Sequence, residues 1–147
     1  MHRRTTIADA VRAALQAQLD SVPIATTVTV GRVYPSDFDT MPAVNVALGP
    51  EAVIDDGEFA ASDPDQIRRL ELDVEIWINA ESGVDAAADA IALEVERALG
   101  PGLSASIVDE LKYRGSEAPE RDALEGPVII RTLSYTADFL VDRTNPV

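Results

Sequence analysis

In Leu70, Leu72, Val74, Ile76 and Ile78 every second residue is apolar, and Glu71, Asp73, Glu75, Trp77 and Asn79 fall between them. A period of two predicts a strand with one face on a core. The pattern then changes at once to Val84, Ala88, Ile91, Val95 and Leu99, the stripe of a helix buried on one side. Ser82 is placed to cap its start and Gly100 its end. A long strand thus hands directly to a covering helix, with no catalytic residue type at the junction. This part of the chain reads as scaffold, and the search for function turns toward assembly.

The same two periods organise the rest. Ile7, Val11, Leu15 and Leu19 recur at helical spacing behind Thr5 or Thr6, and this first helix ends near Asp20, before Pro23. Residues 24–34 are rich in Thr and Val and predict a strand. A loop with two prolines and two acids follows at 35–42, then a short strand at 43–48 closed by Gly49-Pro50. Residues 51–60 form a further strand or a hairpin arm around Asp55-Asp56-Gly57. After the central strand and helix, residues 103–114 predict a strand with Ile107 and Leu111 inward, and 115–126 a loop. Pro127 starts a long last strand with Ile129, Arg131, Leu133, Tyr135, Ala137, Phe139 and Val141 on one side. A polar tail from 142 is expected to be loose. The order α-β-β-(β)-β-α-β-β predicts an α+β fold: a mostly antiparallel sheet with two helices packed on one face. At 147 residues, with no internal repeat and no linker, residues 1–147 are expected to form one domain.

Charge narrows the class. The formal net charge is −14, from 26 acidic and 12 basic residues, and Lys112 is the sole lysine. Gripping nucleic acid by its phosphates needs clustered Lys and Arg, which this balance opposes. A soluble acidic surface is the plain reading; a surface that DNA passes without sticking is the sharper one. Cysteine is absent, so disulfides, thiolate metal sites and a thiol nucleophile are excluded. The basic Met1-His2-Arg3-Arg4 runs into an amphipathic helix, not the apolar core of a secretory signal, and no apolar run approaches membrane-spanning length.

Candidate chemistry is thin. The one histidine, His2, stands at the N-terminus, where a Ser–His–Asp relay has no rigid element to hold it. Asp55, Asp56, Glu58, Asp63 and Asp65 miss the EF-hand spacing and read as a solvated loop. Glu71, Asp73 and Glu75 share a strand face and read as an exposed or subunit-facing surface, not an acid–base pair. Gly100-Pro101-Gly102 lacks the lysine of a phosphate loop and terminates a helix. Two features point to contacts. Trp77 lies on the polar side of its strand, where an aromatic anchors a partner or covers a sheet edge. Phe38 and Met41 sit among Asp37 and Asp39 in the 35–42 loop, where they form a contact surface or tuck back beneath it. The candidate interface is therefore Asp37, Phe38, Asp39, Met41, Glu75 and Trp77. No metal or cofactor is expected.

Several segments taken in order resemble a known family. They are Met1-His2-Arg3-Arg4-Thr5 with its helix, Tyr34-Pro35 followed by Met41-Pro42-Ala43-Val44-Asn45-Val46, and Leu70-Glu71-Leu72-Asp73-Val74-Glu75-Ile76-Trp77. The last leads to Leu93-Glu94-Val95-Glu96, and Leu133-Ser134-Tyr135-Thr136-Ala137-Asp138-Phe139 comes late. Together they resemble the tail terminator, or tail-completion, proteins of long-tailed phages, the group of the lambda minor tail protein U. The resemblance spans nearly the whole chain and rests on layout. It implies an α+β fold assembled as a ring of six, a virion protein at the head-proximal end of the tail. Such a ring caps the tail tube, stops its polymerisation, offers the head-joining surface and lets DNA through its lumen. Its partners are further copies of itself, the tail tube protein and a head-completion or connector protein. The group has no catalytic site to carry over, and residues 55–65 and 115–126 fall outside the resembling segments. Another neck or head-completion protein, or a small α+β enzyme or ligand-binding domain using the strand carboxylates, are the competing readings.

Overall fold

The computed structural model describes residues 2–22, 24, 26–31, 42–54, 65–79, 84–104, 107–117, 120–122 and 128–142. The first helix, α1 (Arg3–Asp20), buries Ile7, Ala8, Val11, Leu15 and Leu19 on one stripe. It starts earlier than the threonines suggested, because His2 is its cap: the His2 Nδ1 accepts from the Arg4 amide at 3.2 Å. The His2 carbonyl also takes the amides of Thr5 and Thr6. At the other end the Ser21 hydroxyl donates to the Gln18 carbonyl at 2.7 Å.

Of the strand expected at 24–34, β1 (Thr27–Val30) is the described part, and residues 25 and 32–34 lie outside the described residues. A tight turn from Ile24 N to Val22 O precedes it, and Gly31, at φ +76°, leaves the extended region just after it. Strand β2 (Ala43–Val53) instead runs past its expected stop. At Gly49-Pro50 the register jumps from Leu48↔Leu72 to Glu51↔Leu70, so the pair forms a bulge and pairing resumes. A bulge is one of the few places where a proline fits inside a sheet. The further arm expected at 51–60 is thus the continuation of β2 as far as Val53.

Strand β3 (Asp65–Asn79) begins five residues before the alternating run and carries it through. Helix α2 (Val84–Leu99) ends as expected at Gly100, whose amide donates to the Glu96 carbonyl at 2.8 Å. A Cβ on Gly100 would stand 2.9 Å from that same carbonyl oxygen, so close approach is what requires glycine there. The described residues 103, 104 and 107–109 are not part of a strand: the Ser104 carbonyl takes the amides of Ile107 and Val108. Ile107 and Leu111 do pack against the core. The expected loop at 115–126 shrinks, because β4 (Glu110–Ser116) extends into it and β5 (Glu120–Asp122) interrupts it. The last strand, β6 (Val128–Asp142), is as long as β3. Ser82, residues 35–41, 55–64 and 143–147 lie outside the described residues.

The strands form one six-stranded sheet in the order β1-β2-β3-β6-β4, with β5 also on β6. Only β1–β2 is parallel among the described pairs; the other four are antiparallel. Both helices lie on one face, giving the expected α+β arrangement. The core is where the two periods meet. Leu70, Leu72, Val74, Ile76 and Ile78 of β3 and Leu133, Tyr135, Ala137, Phe139 and Val141 of β6 face Ile7, Val11 and Leu15 of α1 and Ile91, Val95 and Leu99 of α2. Each such large aliphatic side chain contributes about 1.5–3 kcal/mol on leaving water.

Polar links fix the helices. Glu94, only 6% exposed, accepts from Gln18 of α1 at 2.6 Å and from Arg97 at 2.8 Å. Its charge is buried but doubly hydrogen-bonded, which avoids the cost of an orphan carboxylate. Arg131 of β6 pairs with Asp89 of α2. The Gln16 amide spans the outer edge of β1, accepting from Val28 N at 3.0 Å and donating to Thr26 O at 3.2 Å. Those are the backbone groups a neighbouring strand would use, so this short edge is closed by its own helix.

Candidate functional site

The face of the sheet turned away from the helices is the place to look, because alternation puts every second side chain of β3 and β6 there. On β3 these are Arg69, Glu71, Asp73, Glu75 and Trp77; in register across β6 stand Asp138, Thr136, Ser134, Thr132 and Ile130. On β2 Asn45 stands opposite Glu75, and on β1 Thr29 stands opposite Asn45.

These groups are joined across the strands. The Thr29 hydroxyl donates to Asn45 Oδ1 at 3.1 Å, and Asn45 Nδ2 donates to Glu75 Oε1 at 2.8 Å. Asn45 has no exposed surface. Ser134 donates to Asp73 at 2.9 Å. Arg69 grips Asp138 with two bonds, 2.8 and 3.0 Å, the fork geometry of a bidentate pair. Arg114 Nε donates to the Thr136 hydroxyl at 3.1 Å. An open cleft of about 500 Å³ runs over this row, lined by Arg69, Glu71, Asp73, Arg114, Glu117 and Ser134 among others.

The electrostatics follow from the neighbours. Burial pushes the Glu75 carboxyl above its usual range; the Asn45 amide pulls it back, and nearby Asp73 pushes it up again. Asp138 raises Arg69 further above its already high value, through the hydrogen bond first and then through its charge.

Of the six residues singled out from sequence, Asp37, Phe38, Asp39 and Met41 lie outside the described residues. Glu75 is half-buried and tied to Asn45. Trp77 is on the polar-side face, as its parity requires; of its two readings, partner anchor or cover for the sheet, the single chain shows it 2% exposed, between Ala43 and Ile130 in register. An indole has so much apolar surface that it is buried even on a polar face. Its Nε1–H is buried with no acceptor among the described residues. The structure thus brings Glu75 and Trp77 to one face and closes the second against solvent.

Sequence reasoning missed the partners of the carboxylates: Asn45, Thr29, Ser134 and the Arg69–Asp138 pair. Asn45 between Val44 and Val46 carried a signal, since a polar residue inside a β-branched run alternates to the face opposite the core. Chemically the row is committed to itself. Asp73, Glu75 and Asp138 each hold a donor, and His2 is engaged as the α1 cap. Among the described residues no three His, Cys, Asp or Glu side chains cluster as metal ligands do, and no helix is long and apolar enough to cross a membrane.

No known protein family and no curated protein matches the chain by sequence. Its fold is similar to that of a chain in a solved structure described as the virion of a native gene transfer agent particle. The two are 22% identical with a TM-score of 0.54, over 90% of this chain and 96% of that one. At that identity the likeness establishes a shared fold, end to end.

Proposed function

We propose that the chain is a structural protein of a phage-like particle, and within that class a tail terminator. The observation that carries the first step is the fold shared over nearly the whole length of both chains with a component of a gene transfer agent virion. The second step rests on the family resemblance of the ordered segments, from Met1-His2-Arg3-Arg4 to the Leu133–Phe139 run. The polar face fits both: Asp73, Glu75 and Asp138 are hydrogen-bonded to Ser134, Asn45 and Arg69 across the strands.

In this reading the copies close into a ring, six in number, that caps the tail tube, ends its growth and meets the head. Each copy adds a formal charge of −14. The part of that charge facing the lumen repels DNA phosphates over roughly a Debye length, about 8–10 Å, so DNA passes without binding. The 35–42 loop, Glu75 and the polar face are the proposed contacts with neighbouring subunits or the tube. The protein acts by assembly, with no chemical step.

Electron cryomicroscopy of purified particles tests this directly. A cyclic ring of this chain at the head-proximal end of the tail is expected. A ring seated on the portal side with no tube contact would make it a head-completion protein, and absence from the particle would sink both.

A further inference from the structure

A second concavity lies on the helix side of the sheet, away from the polar row. It is a notch of about 250 Å³ between the last turn of α2 and the β4 edge, lined by Glu96, Leu99, Gly100, Leu111, Tyr113 and Tyr135. The Tyr113 and Tyr135 rings stand 5.4 Å apart at 57°. Tyr135 is buried, while Tyr113 is 44% exposed for a side chain on the core-facing side of its strand. Leu99 and Leu111 supply apolar wall. Glu96 is exposed at the rim and forms no ion pair among the described residues, whereas the nearby Arg97 is taken by Glu94.

Three fields converge there with one sign. Glu96 contributes a full negative charge. The α2 C-terminus, ending at Leu99, contributes the negative end of the helix dipole. Tyrosine ring faces are electron-rich and attract cations. Burial holds the Tyr135 hydroxyl well above its usual value, and the nearby Glu96 charge adds to that.

We infer that this notch receives an arginine side chain from a neighbouring protein of the particle. The guanidinium is flat, weakly hydrated and stacks on aromatic rings, so it fits apolar walls with a carboxylate at the rim; a compact ammonium holds its water too firmly. The source is a basic segment of a different protein, because a chain of formal net charge −14 draws such segments toward its surface. The choice of source rests on the virion reading above; the notch chemistry does not.

The test has two arms. In the first, amide shifts of the labelled protein are followed as acetyl-Gly-Arg-Gly-amide is added, against the same peptide with citrulline, which keeps the shape and loses the charge. Shifts at residues 96–102 and 111–113 are expected, with arginine favoured about tenfold. Glu96→Gln and Tyr113→Leu should each weaken binding about fivefold, and Tyr113→Phe should retain it. Equal binding of citrulline, or shifts elsewhere, overturns the site. In the second arm, particles carry a photoreactive benzoylphenylalanine at position 113. A crosslink within an arginine-bearing segment of another protein is expected. A crosslink to another copy of this chain, or none, overturns the assigned source. If the chain is not found in particles, the virion reading fails while the peptide arm still decides the notch.

Discussion

Replacing Asn45 by alanine should loosen the β1 side of the sheet, and by an amount that depends on pH. Asn45 is fully buried and links three strands through Thr29 and Glu75. A neutral hydrogen bond contributes about 0.5–1.5 kcal/mol and one to a charged group about 1.5–3. Glu75 is half-buried, so solvent screening puts its bond at the low end. The sum is about 2–3 kcal/mol, a substantial part of a typical 5–15 kcal/mol stability.

The sign of the pH effect follows from Glu75. Its folded pKa is raised, by burial above all, so the folded state holds its proton more tightly than the unfolded state does. Stability from this group therefore grows as pH falls through the folded value and is lost above it. Asn45 opposes that shift. Removing it must raise the folded pKa further and steepen the slope, so Asn45→Ala should cost most at neutral pH and less under acid conditions. Urea unfolding of both proteins at pH 7 and pH 4, read by circular dichroism, measures the difference. Adding Glu75→Gln should remove most of the pH dependence. An Asn45→Ala cost below about 0.5 kcal/mol, or one unchanged between the two pH values, would show that the Thr29–Asn45–Glu75 chain does not bear on stability.

Leu72, 1% exposed, should cost about 3 kcal/mol as Leu72→Ala, and Leu72→Asp or Val95→Asp should abolish folding, whereas Glu71→Ala should be silent in the same melts. Gly49→Ala places a methyl 3.2 Å from both the Glu71 Cβ and the Glu71 carbonyl oxygen, neither of which can swing away. A cost of about 1 kcal/mol, or a melting point lower by roughly 2–4 °C, is expected in calorimetry. Replacing Phe38 and Met41 together by serine should leave the melting curve intact but yield tails of irregular length with few heads joined; normal particles would remove the 35–42 loop from the proposed interface.

What was legible in the chain was what local periodicity controls. The alternation of β3 and β6 and the helical stripes of α1 and α2 name most of the core, because a side chain's burial there is set by its parity or its place on the stripe. The errors lie where a local stop signal meets tertiary pairing. Gly49-Pro50 reads as a terminator, yet β3 offers a partner on both sides of it and the sheet absorbs the pair as a bulge. Conversely the Val- and Thr-rich 24–34 segment looks like a long strand, but among its described residues Gly31 and the turn at Val22 leave Thr27–Val30 to pair. Residues 120–122, charged and lacking β-branched side chains, are held extended because β6 runs far enough to offer them an edge.

The candidate sites were less legible for a different physical reason: their residues meet only through register. Glu96 and Tyr113 are separated by the whole connection from α2 to β4, and Tyr135 comes from another strand. Nothing in any one segment marks them as neighbours, yet pairing Tyr113 with Tyr135 across β4 and β6 places both rings beside the last turn of α2. The same register turns three carboxylates that look alike in sequence into unlike groups: Glu71 exposed, Asp73 bonded to Ser134 and Glu75 to Asn45. Surfaces of this kind are built from several strands at once. That is why the core could be read from one stretch of this chain, while the polar row and the notch needed the strands paired in register.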